Sequence, residues 1–186
     1  NVNGFGSALK LSAGTLTNAA LATIRSSGPT GGVNTLNALL TNNGTLDVQR
    51  PLTIPNTGRT LDSSTGTLNI AAGNTLTVDG GTTKLGGATG FGTGTGTLNL
   101  AGTTPVLDIV SNLTMPTGVT WNLSGTTPTL DSSAVSAVSF TVPSVDTLNL
   151  TGATVTNKVN VTNQGTLNLS TVTVNGALAN SGALNI

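Results

Sequence analysis

Polar and aliphatic positions alternate along most of this chain, in short runs set apart by glycine, asparagine and threonine. The run Gly96-Thr97-Leu98-Asn99-Leu100 recurs letter for letter at Gly165-Thr166-Leu167-Asn168-Leu169. Close variants stand at Gly44-Thr45-Leu46-Asp47-Val48, Gly66-Thr67-Leu68-Asn69-Ile70, Asp146-Thr147-Leu148-Asn149-Leu150 and Gly182-Ala183-Leu184-Asn185-Ile186. A period of two is the mark of a strand with one buried face. Leu98 and Leu100 are therefore expected in a core, with Thr97 and Asn99 outside. The tail follows the same code, with Val155, Val172 and Val174 inward and Thr154, Thr171 and Thr173 outward. Helical periodicity is lacking, and the one candidate helix is a short one around Ala19-Ala20-Leu21-Ala22.

Turn signals punctuate the alternation. Asn43-Gly44, Asn175-Gly176 and Asp79-Gly80-Gly81 are expected to supply left-handed residues between strands. Asn3-Gly4 is a further turn signal, and Ser26 to Gly32 reads as a loop. Between Gly92 and Thr97 threonine and glycine alternate. With the threonines outward, Gly94 and Gly96 are expected to face a wall that leaves no room for a side chain.

A longer repeat lies over the short one. Leu46-Asp47-Val48 followed by Leu52-Thr53-Ile54-Pro55 returns 61 residues later as Leu107-Asp108-Ile109 followed by Leu113-Thr114-Met115-Pro116. A third of that offset is about 20 residues, the perimeter of a coil of three short strands and three turns. The expectation is an all-β fold, a single-stranded right-handed parallel β-helix (β-solenoid) with about 20 residues and three strands per coil. Residues 1–32 read as an irregular first coil or cap, and residues 33–186 as one continuous solenoid. A β-sandwich is the competing architecture. Its thicker core draws on aromatic residues, and here they make up 2% of the chain, with no tyrosine. A solenoid core is narrow and suits stacked Leu, Val and Ile. Asn and Thr repeating at the strand spacing of about 4.8 Å can bond to one another.

Charge changes the picture of partners. Charged residues make up 6% of the chain, and net charge is zero. About a quarter would be usual. Nucleic-acid binding needs a basic patch, and attraction to anionic lipid needs basic residues too, so neither partner is expected. No apolar run approaches the roughly 18 residues of a membrane-spanning helix, so membrane insertion by this segment is not expected. The chain opens at Asn1 with neither a basic leader nor an apolar signal core, and reads as a mature chain or an excised fragment.

Taken together, the Gly-Thr-Leu-Asn-Leu runs, the stretch from Val172 to Ile186 and Leu39-Leu40-Thr41-Asn42-Asn43-Gly44-Thr45-Leu46 resemble β-helical passengers of bacterial autotransporters and filamentous-haemagglutinin-type adhesins. The resemblance covers most of residues 33–186. Asn1-Val2-Asn3-Gly4-Phe5 is similar to the Asn-Pro-Asn-Gly secretion motif of two-partner exoproteins, with valine at the second position. The resemblance implies a secreted or cell-surface bacterial segment with a structural or adhesive role and no enzymatic activity. It places the chain outside the cell.

Chemistry has few residues to work with. The chain has no His, Cys or Glu, which removes the usual zinc sites, Ser-His-Asp triads and thiol catalysis. The acids are Asp47, Asp62, Asp79, Asp108, Asp131 and Asp146. Asp47, Asp62 and Asp79 could align on neighbouring coils for glycosidase work. The plainer reading makes Asp47 and Asp108 outward strand residues equivalent to Asn69 and Asn99, and Asp62 and Asp131, both in Thr-Leu-Asp-Ser-Ser, turn caps. Trp121 reads as a core filler. No calcium loop or phosphate-binding loop is present. No catalytic, cofactor or metal site is therefore expected, and no cofactor.

The final run at Ile186 is an uncapped rung, which suggests stacking on copies of the same chain or on further coils, and a filament. A cell-surface or matrix receptor is the other expected partner. Two alternatives stand beside the structural reading. One is a β-helical polysaccharide hydrolase or lyase, marked by outward Asp grouped with Lys84 or Arg59. The other is an ice- or surface-binding module, marked by threonine in columns on a flat face.

Overall fold

The computed structural model describes residues 6–28 and 31–186. Its regular elements are strands alone. The first coil holds β1 (Ala8–Asn18) and β2 (Thr23–Ser26), and the second β3 (Asn34–Asn42) and β4 (Thr45–Val48). The third has β5 (Leu52–Pro55), β6 (Thr60–Asp62) and β7 (Thr67–Ile70), and the fourth β8 (Thr75–Asp79), β9 (Thr82–Leu85) and β10 (Gly90–Phe91). The fifth has β11 (Thr97–Ala101), β12 (Val106–Ile109) and β13 (Leu113–Thr114), and the sixth β14 (Thr120–Leu123), β15 (Thr129–Asp131) and β16 (Val138–Val142). The seventh has β17 (Thr147–Thr151), β18 (Thr154–Val155) and β19 (Val159–Asn163), and the eighth β20 (Thr166–Ser170), β21 (Thr173–Val174) and β22 (Leu178–Asn180). Last comes β23 (Ala183–Asn185), one rung higher on the first face.

Each coil meets the next through parallel pairing, which makes a three-faced β-solenoid. The first face runs β3-β5-β8-β11-β14-β17-β20-β23, and the second β3-β6-β9-β12-β15-β18-β21. β3 serves both because it bends round a corner, pairing with β5 at Thr35 and with β6 at Leu40. β1 pairs with both halves of β3 through a register shift between Lys10 and Thr15. The third face comes in two pieces, β2-β4-β7-β10 and β13-β16-β19-β22.

The alternating code sets this stack. On the first face Leu52, Leu76, Leu98, Trp121, Leu148 and Leu167 stand in one inward column. Ile54, Val78, Leu100, Leu123 and Leu150 form the next, and all of these residues are buried. Each such side chain contributes about 1.5–3 kcal/mol by leaving water. The outward neighbours Thr97 and Asn99 are half-buried, as the alternation predicts.

Coil length agrees with the expected value of about 20 residues, but not for the expected reason. Successive pairs from Thr53 through Thr77, Asn99, Asn122, Asn149 and Asn168 to Asn185 step by 24, 22, 23, 27, 19 and 17 residues. The spacing is about 22 residues, and the 61-residue repeat is not three coils. Leu46-Asp47-Val48 lies in β4 on the third face, whereas Leu107-Asp108-Ile109 lies in β12 on the second. One strand–corner–strand unit is used at two different corners, so its recurrence measures a corner rather than a coil.

Two local expectations also change. Ala19-Ala20-Leu21-Ala22 is a turn, with Leu21 at φ 67° and the Ala22 N–H donating to the Ala19 carbonyl. A four-residue run between two strands cannot offset the cost of starting a helix. Gly44 and Gly176 are not left-handed, while Gly80 and Gly81 are. Gly44 is required for a different reason. A Cβ there would lie 2.2 Å from the Ala22 carbonyl oxygen of the coil below, and at Gly165 2.1 Å from that of Pro143. The rung begins with glycine because backbones of successive coils touch at these corners.

Candidate functional surface

Buried amides fix the corners. The Asn18 amide donates to Asn42 Oδ1 at 2.7 Å, and that of Asn42 donates to Ser63 Oγ at 2.9 Å. The same two side chains also donate across to the carbonyls of Thr45 and Thr67 in the next coil. Asn56 and Asn163 do the same at the other two corners, bonding the carbonyls of Thr82 and Ala183. Each corner asparagine thus ties the end of one strand to the start of a strand one coil higher.

The outward residues form columns. Thr75, Thr97, Thr120, Thr147 and Thr166 align on the first face, and beside them run Thr77, Asn99, Asn122, Asn149, Asn168 and Asn185. The asparagines bond to one another, each amide donating to the Oδ1 of the coil below: Asn149 to Asn122, Asn168 to Asn149 and Asn185 to Asn168, all at 2.6 Å. The second face carries a charged column, Asp62–Lys84–Asp108–Asp131.

The acids do not gather as the first alignment suggested. Asp47 is in β4 on the third face, Asp62 in β6 on the second, and Asp79 at the end of β8 on the first. Offsets of 15 and 17 residues carry the chain round two corners, one face short of a full coil. Asp47 is the outward equivalent of Asn69, as expected. Asp108 pairs with Lys84 and Asp131 rather than standing over Asn99. Both Asp47 and Asp108 are buried, each 5% exposed.

What holds each acid is local. Asp47 receives Arg25 Nε at 2.7 Å, Gln49 Nε2 at 2.7 Å and Asn69 Nδ2 at 2.8 Å. Burial alone would raise its carboxyl. The donors Gln49, Arg25 and Asn69, with the Arg25 charge, outweigh burial and hold it below the ordinary value. Asp62 takes the N–H and Oγ of Ser64, the turn cap the sequence suggested. Asp131, in the same sequence context, instead accepts from Thr156 Oγ1 at 2.6 Å. Asp108 accepts the Ser133 N–H at 2.7 Å. Asp146 accepts the N–H groups of Gly118 at 2.5 Å and Val119 at 3.1 Å, clasping the turn below it. Its other oxygen is buried with no partner among the described residues. Burial raises the Asp146 carboxyl, against the pull of the two backbone donors. Among the described residues no three carboxylates converge as metal ligands.

A small apolar recess marks a feature the sequence reading missed. The third face is interrupted between β10 and β13, where the Gly92–Gly96 run leaves the sheet. A slot of about 20 Å³ opens there, lined by Leu68, Ile70, Phe91, Leu98, Pro116 and Trp121. It has room for about one water, and its walls are mostly apolar beside the backbone of Gly92, Gly94 and Gly96. Behind it three rings pack together: Phe91 tilted against Trp121 at 5.9 Å, and Trp121 stacked on Phe140 at 5.8 Å. Trp121 is core, as expected, at 3% exposure. The available signal was substitution within the code: Phe91 aligns with Leu68, Trp121 with Leu98, and Phe140 with Leu113. Gly94 fits its expected crowding, since a Cβ there would lie 2.1 Å from the Ile70 carbonyl oxygen. The motif Asn1-Val2-Asn3-Gly4-Phe5 lies outside the described residues. No helix of the described residues is long and apolar enough to cross a membrane. The fold and its surface therefore stand on the chain's own geometry, since no family model, no curated protein and no solved structure matches it.

Proposed function

We propose that this chain is a non-catalytic structural segment of a secreted or cell-surface bacterial β-solenoid protein, a stiff spacer of the adhesin type. Its partners are further coils of the same kind stacked along the axis and a cell-surface or matrix receptor. One observation carries the reading: the polar side chains are spent on neighbouring coils. Asp47, Asp108, Asp131 and Asp146 each bond to an adjacent coil, and the asparagine ladder bonds to itself. Groups so engaged stabilise a rod and are poorly placed to meet substrate.

The charged column Asp62–Lys84–Asp108–Asp131 favours the polysaccharide hydrolase or lyase as a second reading, because parallel pairing sets its neighbours about 4.8 Å apart. Incubation with a panel of acidic and neutral polysaccharides separates the two. The spacer releases no reducing ends or unsaturated products. Turnover that Asp108→Asn or Asp131→Asn abolishes, with melting unchanged, would overturn the structural reading. The threonine column on the first face favours the ice- or surface-binding reading, and ice-crystal shaping by the purified chain is its direct test.

A further inference from the structure

The sequence holds three Asn-Gly pairs, at Asn3-Gly4, Asn43-Gly44 and Asn175-Gly176, and the first lies outside the described residues. The other two turn the same corner, from the second face to the third, in coils two and eight. They are held differently. Asn43 Oδ1 accepts from Thr65 Oγ1 at 2.9 Å, and the Gly44 N–H donates to the Asn18 carbonyl at 3.1 Å. Both asparagines are exposed, but the Gly176 N–H bonds to no described residue, where that of Gly44 is held by the coil below. The corner is nonetheless anchored on both sides of the pair. The Asn175 N–H donates to the Val155 carbonyl at 2.9 Å, and the Ala177 N–H to Asn160 Oδ1 at 3.2 Å.

In an Asn-Gly pair the backbone nitrogen reaches the preceding side chain most easily, because glycine has no Cβ in the way and the widest choice of φ and ψ. We propose that Asn175 is a site of spontaneous deamidation. The Gly176 nitrogen gives its proton to solvent hydroxide and attacks Asn175 Cγ. A C–N bond forms, the Cγ–Nδ2 bond breaks, and the side-chain nitrogen leaves as ammonia. Water then opens the cyclic succinimide at either carbonyl. The product is an aspartyl residue at position 175 or an isoaspartyl residue whose chain runs through the former side chain. Only water is consumed, and nothing is oxidised or reduced.

The consequence is local and directional. A chain of zero net charge gains a negative charge at a corner whose turn one coil below carries Lys158. The isoaspartyl form also lengthens the link between β21 and β22, where Gly176 lies so close to the coil below that a Cβ would sit 2.1 Å from the Val159 carbonyl oxygen. That corner of coil eight loosens while the equivalent corner of coil two does not.

The test is a time course of the whole chain at mildly alkaline pH. Peptide mass mapping follows Asn43 and Asn175 in parallel, and enzymatic methylation detects isoaspartate. The bond that must open at the Gly44 N–H, made to the coil below, is worth roughly a factor of five, so Asn175 converts about fivefold faster in the folded chain. In denaturant the two rates become equal. Asn175→Gln leaves the corner exposed and blocks conversion there. Equal rates at the two sites in the folded chain, or conversion of Asn43 ahead of Asn175, would refute the proposal.

Discussion

Between the fourth and fifth coils the first and third faces of this rod part company. On the first face β8 and β11 pair over five residues, from Thr75↔Thr97 to Asp79↔Ala101. On the third, β10 holds only Gly90 and Phe91, pairs downward with β7 and meets nothing above. The first face keeps its register through backbone bonds, a leucine ladder inside and an asparagine ladder outside. The third face replaces a rung of hydrogen bonds with three packed rings. A solenoid therefore needs two continuous faces to hold its coils in step, and the remaining face can be interrupted where large side chains fill the interior.

If the rings hold the break, removing one has the largest effect. Phe140→Ala deletes the fully buried ring that packs against Trp121 at one end of that group, and should cost about 3–5 kcal/mol in chemical denaturation. A loss under about 1 kcal/mol would mean that the rings fill space without holding the break.

The glycines sharpen the contrast at smaller cost. Gly165 and Gly94 each leave 2.1 Å between a notional Cβ and a carbonyl oxygen of the coil below. Gly165 opens a paired strand of the first face, so Gly165→Ala must push coils apart and should cost about 1–3 kcal/mol. Gly94 lies in a run that Gly92, Gly94 and Gly96 tie to Leu68, Asn69 and Ile70 of the coil below but that no strand pairs from above, so it can lift without parting two rungs and Gly94→Ala should cost less than about 1 kcal/mol. Equal melting losses in the two variants would erase the distinction between the faces.

The smallest effect is in pH. The Asp47 carboxyl lies below its ordinary value of 3.8 in the fold, so its stabilisation is present above that pH and is lost as pH falls through the folded value. Asp146 lies above 3.8, so its contribution is fully present below that pH and is lost as pH rises through the folded value. Denaturation midpoints followed from acid to neutral pH should show Asp47→Asn losing the first slope and Asp146→Asn the second. A parallel response in both variants would contradict the assigned environments.

Legibility differed by kind of feature. The inward and outward assignment of Thr97-Leu98-Asn99-Leu100 was readable because alternation is a property of neighbouring residues. The corner role of Asn42 was not, because its meaning lies in Thr67, one coil up and 25 residues on. Coil length was readable only approximately, since turns of unequal length absorb insertions. For the same reason Asp47, Asp62 and Asp79, regular in sequence, fall on three different faces. Asp62 and Asp131 share Thr-Leu-Asp-Ser-Ser and a column, yet one caps its own turn while the other reaches Thr156.

The sequence by itself determined the class of fold: strands, one buried side, short coils and a narrow aliphatic core, all consequences of local periodicity and composition. Only the tertiary structure decided which residues stand above one another. Stacking register depends on the summed lengths of three strands and three corners, and each corner is set by contacts between coils. The break in the third face, the rings behind it, the column Asp62–Lys84–Asp108–Asp131 and the unequal fates of Asn43 and Asn175 all arise at that level.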